Sequence, residues 1–142
     1  MSAYADSSFL VSLYVADSNS DAAASEMARL ALPILVTSLG ELELENAIQL
    51  RMFHKEIAAL EMRRTRAAFR ADVEAGLLAI KPMTEAMYLE ARRLASRWTS
   101  RLGTRTLDIL HVAAAIVLEA DSFHTFDDRQ KKLAKAAGLV CR

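Results

Sequence analysis

Four carboxylates spread widely along the 142 residues, Asp6, Glu43, Asp108 and Asp127, are the side chains best placed to do chemistry. Three of them, Asp6, Asp108 and Asp127, fall where a short apolar run hands over to a helical pattern, or in the first turn of a helix. Taken singly, each is accounted for as an N-cap or as a negative charge on the positive end of a helix dipole. The surroundings of Asp108 ask for more. Leu107, Ile109, Leu110 and the run Val112 to Leu118 make its helix apolar nearly all round, which predicts a central, buried helix. Asp108 and His111 are the only polar side chains between Thr106 and Glu119. A carboxylate at the mouth of such a helix requires a partner, because an unpaired buried charge is very costly.

Glu43 has to be chosen from Glu41, Glu43 and Glu45. Glu41 and Glu45 are four apart, share a helical face and repel, which is tolerable mainly in solvent. Glu43 points elsewhere, with Leu39 and Ala47 four residues to either side and Asn46 three away. That largely uncharged stripe is read as the inward one. Periodicity alone leaves a half-exposed surface glutamate open as the other reading.

Should the four acids converge, their like charges cannot all stay ionised without a cation. An all-oxygen set suits Mg²⁺ or Mn²⁺, and no Cys/His cluster at zinc spacing competes. A cation held there activates water and offsets charge developing on a phosphate.

The elements that would position these acids alternate along the chain. A short strand ends at Tyr4-Ala5, and Ser7 to Tyr14 reads as helix. Ser20 and Asp21 can cap a helix from Ala22 to Leu32, before Pro33. Ile34 to Thr37 is a brief strand, and Ser38 with Glu41 has the spacing of a capping box for a helix through Met52. Lys55 to Ala75 is helical with an arginine-rich face, closed by Gly76. Leu77 to Ile80 is a third strand, and a helix runs from Thr84 to Arg101, where Gly103 ends it. Thr106 caps Leu107 to Glu119, Ser122 to Phe126 is a strand, Asp128 to Ala137 is a helix, and Leu139-Val140 is a last strand. Strands separated by helices, with almost no hairpin signals, predict an α/β fold with a parallel sheet covered on both faces. Such sheets place their sites beyond the carboxyl ends of the strands.

Composition narrows the class. The length is that of one domain, residues 1–142, and 53% hydrophobic residues suffice for a core. Formal charge is +0, which excludes a polycationic nucleic-acid packer, yet residues 1–50 hold seven acids and one base, Arg29. The remainder is therefore basic, as expected of a cation site beside a polyanion surface or of scattered solvated faces. Cys141 is the only cysteine, so no internal disulfide forms and a reducing, cytoplasmic setting is expected. The start lacks a basic segment, Asp6 interrupts its apolar stretch, and no apolar run reaches the roughly 18 residues that span a bilayer. Neither a signal peptide nor a membrane partner is expected.

The acid-bearing segments resemble the four motifs of the PIN-domain family. Tyr4-Ala-Asp-Ser-Ser-Phe-Leu-Val-Ser-Leu-Tyr14 looks like its opening, and Leu42-Glu-Leu-Glu-Asn-Ala-Ile48 like its second motif, which selects Glu43. Thr106-Leu-Asp-Ile-Leu-His-Val-Ala-Ala-Ala115 looks like the third and Thr125-Phe-Asp-Asp-Arg-Gln130 like the fourth. The resemblance spans residues 4 to 138 and is nearest to VapC-type toxins of toxin–antitoxin pairs. It implies a three-layer α/β/α fold and a Mg²⁺- or Mn²⁺-dependent endoribonuclease that cuts single-stranded regions of RNA. It also implies a homodimer inhibited by a small cognate antitoxin. Carried over, Asp6, Glu43, Asp108 and Asp127 are the catalytic, metal-binding acids, and Ser7 and Thr125 are hydroxyls that support them. Asp127 is preferred to its neighbour Asp128 because it stands two after Thr125; Asp128 is read as a helix cap.

Other features have plainer readings. Arg63, Arg64, Arg66 and Arg70, then Arg92, Arg93, Arg97, Arg101 and Arg105, could contact RNA backbone or pair with Glu61, Glu74 and Glu90 on solvated faces. His111 is read as a core histidine rather than a general base, Trp98 as a packing anchor, and Met52, Met62, Met83 and Met87 as packing or dimer contacts. A response-regulator receiver would need paired acids after the first strand, and a haloacid-dehalogenase-type phosphatase a second Asp where Ser8 stands. A non-catalytic metal- or protein-binding module and a housekeeping RNA-processing nuclease share these residues.

Overall fold

The computed structural model describes residues 1–142 and shows five parallel strands in the order β3-β2-β1-β4-β5. These are β1 (Ala3–Ala5), β2 (Ile34–Thr37), β3 (Leu78–Lys81), β4 (Ser122–His124) and β5 (Val140–Cys141). The helices are α1 (Ser7–Tyr14), α2 (Ser20–Met27), α3 (Ser38–Phe53), α4 (Ala59–Glu74), α5 (Glu85–Leu94), α6 (Ser100–Leu102), α7 (Thr106–Val117) and α8 (Asp128–Ala136). A π-helical stretch, Ala95–Thr99, joins α5 to α6. None of the helices is long and apolar enough to cross a membrane.

The sheet is the parallel, doubly covered one that the alternation of strand and helix predicts. Every residue of β1 is buried, as a central parallel strand requires. Its side chains alternate between two cores. Tyr4 packs with Phe123 of β4 against Met87, Leu94, the alanine run of α7 and Leu133. Ala5 faces the other way, with Phe9, Leu10, Val36, Leu44, Ile48 and Leu78. Helices therefore form a layer on each face, and the small residues Ala113, Ala114 and Ala115, all without exposed surface, belong to the first core.

The chain winds from β1 to β2 and β3 on one side, then crosses back to β4 and β5 on the other. The winding reverses between β1 and β4, which pair with Ala5 opposite His124. A crevice opens at such a reversal beyond the strand ends, and Asp6 and Thr125 are the first residues past them.

Several element boundaries differ from the sequence expectations, each for a local reason. Thr37, not Ser38, caps α3 and accepts from Gly40 N; Ser38 Oγ instead accepts from Met83 N at 3.1 Å, so no Ser38–Glu41 capping box forms. Asn19 and Arg105 occupy the cap positions before α2 and α7 without side-chain cap bonds, so neither Ser20 nor Thr106 is the cap. Helix α2 stops at Met27, five residues short of Leu32. Lys55 adopts φ 58°, the left-handed region, which breaks the Arg-rich helix from its predecessor and delays its start to Ala59. Strand β4 ends at His124 because Thr125 turns to serve Asp6.

Candidate active site

Asp6 is the most enclosed acid, 1% exposed, directly after the central strand. Its backbone is anchored by Asp6 N donating to the His124 carbonyl at 3.1 Å, a bond that ties the ends of β1 and β4 together. Its side chain caps α1: Oδ1 accepts from Phe9 N at 2.9 Å and from Ser8 Oγ at 2.7 Å, and Oδ2 accepts from Thr125 Oγ1. Burial nevertheless wins over these donors and over His111 nearby, and holds the carboxyl above its ordinary value of 3.8.

Asp127 caps α8, its Oδ1 accepting from Arg129 N at 2.9 Å and Gln130 N at 3.2 Å. Its own N–H donates to Thr125 Oγ1 at 2.9 Å, so the Thr125 hydroxyl bridges Asp6 and Asp127. Ser8 completes this corner, 3.2 Å from Thr125 Oγ1 and accepting from Phe126 N at 2.9 Å. Asp128, expected as a cap, is instead the first residue of the helix; Asp127 holds the cap position because only there can its carboxylate turn back onto two free N–H groups.

Asp108 lies in the first turn of α7, where the positive end of the dipole favours it. Gln130 Nε2 donates to its Oδ1 at 3.0 Å, and Arg105 Nε stands 3.8 Å from Oδ2. Gln130 is 2% exposed and its Oε1 has no hydrogen-bond partner. Glu43 sits beside the buried stripe of α3, which is Gly40, Leu44 and Ile48, rather than on it. Its Oε1 is 2.5 Å from Nε2 of the buried His111. Sequence spacing missed both Gln130 and His111 as partners of acids; the one available signal was that Asp108 and His111 interrupt an otherwise apolar helix.

Glu43 and Asp127 face the same open cleft of about 770 Å³, together with Ser7, Ser8, Asn46 and Arg129. Asp6 and Asp108 do not line it and are joined to it through Thr125 and Gln130. The donor chemistry is that of a hard divalent cation, all carboxylate oxygen. Glu43 Oε2 and Asp127 Oδ2 accept no hydrogen bond from the chain, so oxygen is left over for a ligand. As the side chains stand, no three His, Cys, Asp or Glu residues form a cluster that could hold a metal ion.

The arginines of α4 lie elsewhere. Arg66 pairs with Glu45 at 3.2 Å, and Arg66 and Arg70 line a separate groove between α3 and α4 with Glu41 and Glu45. Arg93 pairs with Glu90 at 3.2 Å. The cations at the acids are Arg129 on the cleft and Arg105 beside Asp108, of which the sequence reading singled out only Arg105.

A family model described as the PIN domain matches residues 3–136. Among solved structures, the chain is similar to VapC20 of Mycobacterium tuberculosis, described as a sarcin-ricin loop cleaving toxin. The TM-score is 0.70 at 16% identity, covering 97% of this chain and 96% of that one. It is similar to FitAcB from Neisseria gonorrhoeae (TM-score 0.70, 14% identity, 98% and 95% covered). FitAB bound to an IR36 DNA fragment gives TM-score 0.74 at 12% identity, with 99% and 93% covered. At these identities the likeness shows the fold. Comparison with curated protein sequences gives no match.

Proposed function

The chain belongs to the PIN-domain family of nucleases, and from that premise we propose that it is a Mg²⁺- or Mn²⁺-dependent endoribonuclease, the toxin of a toxin–antitoxin pair. Its substrate is single-stranded RNA and its partner a small cognate antitoxin. The observation that carries this reading is the cleft at the reversal of the sheet, where Thr125 bridges Asp6 to Asp127 while Glu43 shares the same wall. Asp6, Glu43, Asp108 and Asp127 would hold the cation, which supplies a water of lowered pKa and neutralises charge on the phosphate.

The chain's own residues prepare that place. Ser8 and Thr125 keep Asp6 from rotating, and Gln130 does the same for Asp108. Ser7, on the cleft wall, offers a hydroxyl next to Asp6. Arg129 sets a positive charge on the wall, suited to a phosphate of the RNA backbone. The similarity to VapC20, a loop-cleaving toxin, supports the toxin assignment, and the FitAB neighbours support an antitoxin as partner. Exposed apolar side chains, Phe53 at 77% and Leu42 at 64% among them, give a second copy of the chain something to cover, in keeping with a homodimer. A cytoplasmic place of action fits the lone, unpaired cysteine.

The test is incubation of the purified chain with single-stranded RNA under Mn²⁺, then with excess chelator, alongside Asp6→Asn. Cleavage by the wild type alone, abolished by the chelator, is expected. Intact RNA with wild type and Mn²⁺, or equal cleavage by Asp6→Asn, would overturn the assignment.

A further inference from the structure

Glu43 lies on the cleft, yet one of its oxygens is not free to act there. Oε1 is 2.5 Å from His111 Nε2, and the ring of His111 is itself 1% exposed. On the far side of that ring, Nδ1 is 2.7 Å from the hydroxyl of Tyr4, in the middle of the central strand. The same hydroxyl is 3.5 Å from Oγ1 of Thr37, the cap of the helix that carries Glu43. The imidazole lies beside the first turn of that helix, where a Cβ on Gly40 would stand in ordinary contact with His111 Cε1, at 3.8 Å.

For a neutral imidazole, hydrogen accounting along this chain gives one arrangement. The Tyr4 phenol carries its proton at neutral pH and so has one to donate. Thr37 Oγ1 is at the limit of range and already accepts from Gly40 N, which leaves His111 Nδ1 as the acceptor. The ring then carries its hydrogen on Nε2 and donates it to Glu43 Oε1, which as a carboxylate can only accept.

We propose that Tyr4 and His111 are positioning residues that commit Glu43 Oε1 to the protein and leave Oε2 as the single oxygen Glu43 offers to a divalent cation in the cleft. The inference rests on the reading of Glu43 as a site acid. No other hydrogen bond in the chain reaches the Glu43 side chain. A glutamate on three rotatable bonds would otherwise wander between one-oxygen and two-oxygen binding; pinned at one oxygen, it presents the other at a fixed point. The anchoring groups Tyr4, His111 and Thr37 come from β1, α7 and the end of β2, so the point is fixed relative to the whole sheet.

Two measurements on the full chain test this. Long-range proton–nitrogen spectra of the metal-free, nitrogen-15-labelled protein should show His111 with its hydrogen on Nε2. That hydrogen should exchange slowly with water, and faster in Glu43→Ala; Tyr4→Phe should mix the two tautomers. A hydrogen on Nδ1 in the wild type, or unchanged exchange in Glu43→Ala, would overturn the proposal. Calorimetry with Mn²⁺ alone should then find His111→Leu weakened about 10-fold, the scale for groups that orient metal ligands. His111→Gln, whose amide can still donate to Glu43, should restore affinity to within about 3-fold of wild type, well inside that loss. Equal affinity of His111→Leu and wild type would likewise overturn it. Failure of the wild type to bind Mn²⁺ would overturn the nuclease reading instead, since the imidazole spectra need neither metal nor RNA.

Discussion

The four candidate acids are held in two different ways. Asp6 and Asp127 each cap the helix they precede and share the Thr125 hydroxyl, so backbone N–H groups and small hydroxyls fix them from several sides. Glu43 and Asp108 each accept one hydrogen bond from a single buried side chain, His111 or Gln130. Removing one donor should leave the first pair nearly in place and release the second. The first corner is therefore set by the backbone and is redundant, whereas the second depends on two individual side chains.

The largest effect should come from the corner itself. Asp6→Asn is expected to lower RNA cleavage about 100-fold or more, since the acids act as a unit. Its stability should move the other way. An acid whose folded pKa is raised favours the fold when protonated; that contribution is complete below its unfolded value of about 3.8 and is lost as pH rises through the higher folded value. In chelator-treated protein, the melting temperature of Asp6→Asn should therefore match wild type near pH 4 and exceed it increasingly toward neutral pH. A difference that shrinks with rising pH would show that Asp6 is not destabilised by its burial.

Next comes the hydroxyl that joins the corner. Thr125→Val keeps the shape of the side chain but removes the donor to the buried Asp6 and the acceptor of the half-buried Asp127 N. Urea unfolding should register a loss of about 1–3 kcal/mol, the cost of leaving buried polar groups unmet. A neutral result would mean water enters the corner and substitutes for Thr125.

Gln130→Leu should separate stability from function on the other side of the cleft. It deletes one hydrogen bond but also a buried acceptor, Oε1, that has no partner. Its unfolding free energy should stay within about 1 kcal/mol of wild type, while cleavage falls about 10-fold as Asp108 loses its orienting donor. Cleavage at the wild-type rate would remove Gln130 from the site. The smallest effect belongs to Glu41→Gln on the α3–α4 groove: unchanged cleavage, and stability within about 0.5 kcal/mol. Arg66→Gln should likewise cost under about 1 kcal/mol, as a half-exposed pair with Glu45 does, and leave RNA binding as it was.

The difference between the two pairs is also the difference in what could be read from the sequence. Asp6, Asp127 and Asp108 were legible because a cap or first-turn acid announces itself by lying between an apolar run and a helical one. The apolar surroundings of α7 gave its burial, and the alternation of elements gave the parallel sheet. Glu43 was only half legible, since periodicity placed it on an inward stripe while the buried stripe is one step round the helix, at Leu44 and Ile48. Asp128 and Ser38 mark the resolution of cap reading, because two adjacent residues that can cap compete and only the backbone turn decides between them. The break after Met52 was expected, but the late start of α4 at Ala59 had no signal, for a lysine carries no preference for the left-handed region that Lys55 adopts.

The sequence by itself thus determined which segments become strand or helix and where the acids fall within them, because capping, dipole and periodicity act over three or four residues. Tertiary structure alone decided the partners. Gln130 meets Asp108 across 22 residues and His111 meets Glu43 across 68. Thr125 meets Asp6 across 119, because β4 returns beside β1 at the point where the winding reverses. No local rule relates residues so far apart; their proximity follows from the order in which five strands pack, and that order is set by burying both faces of one sheet at once.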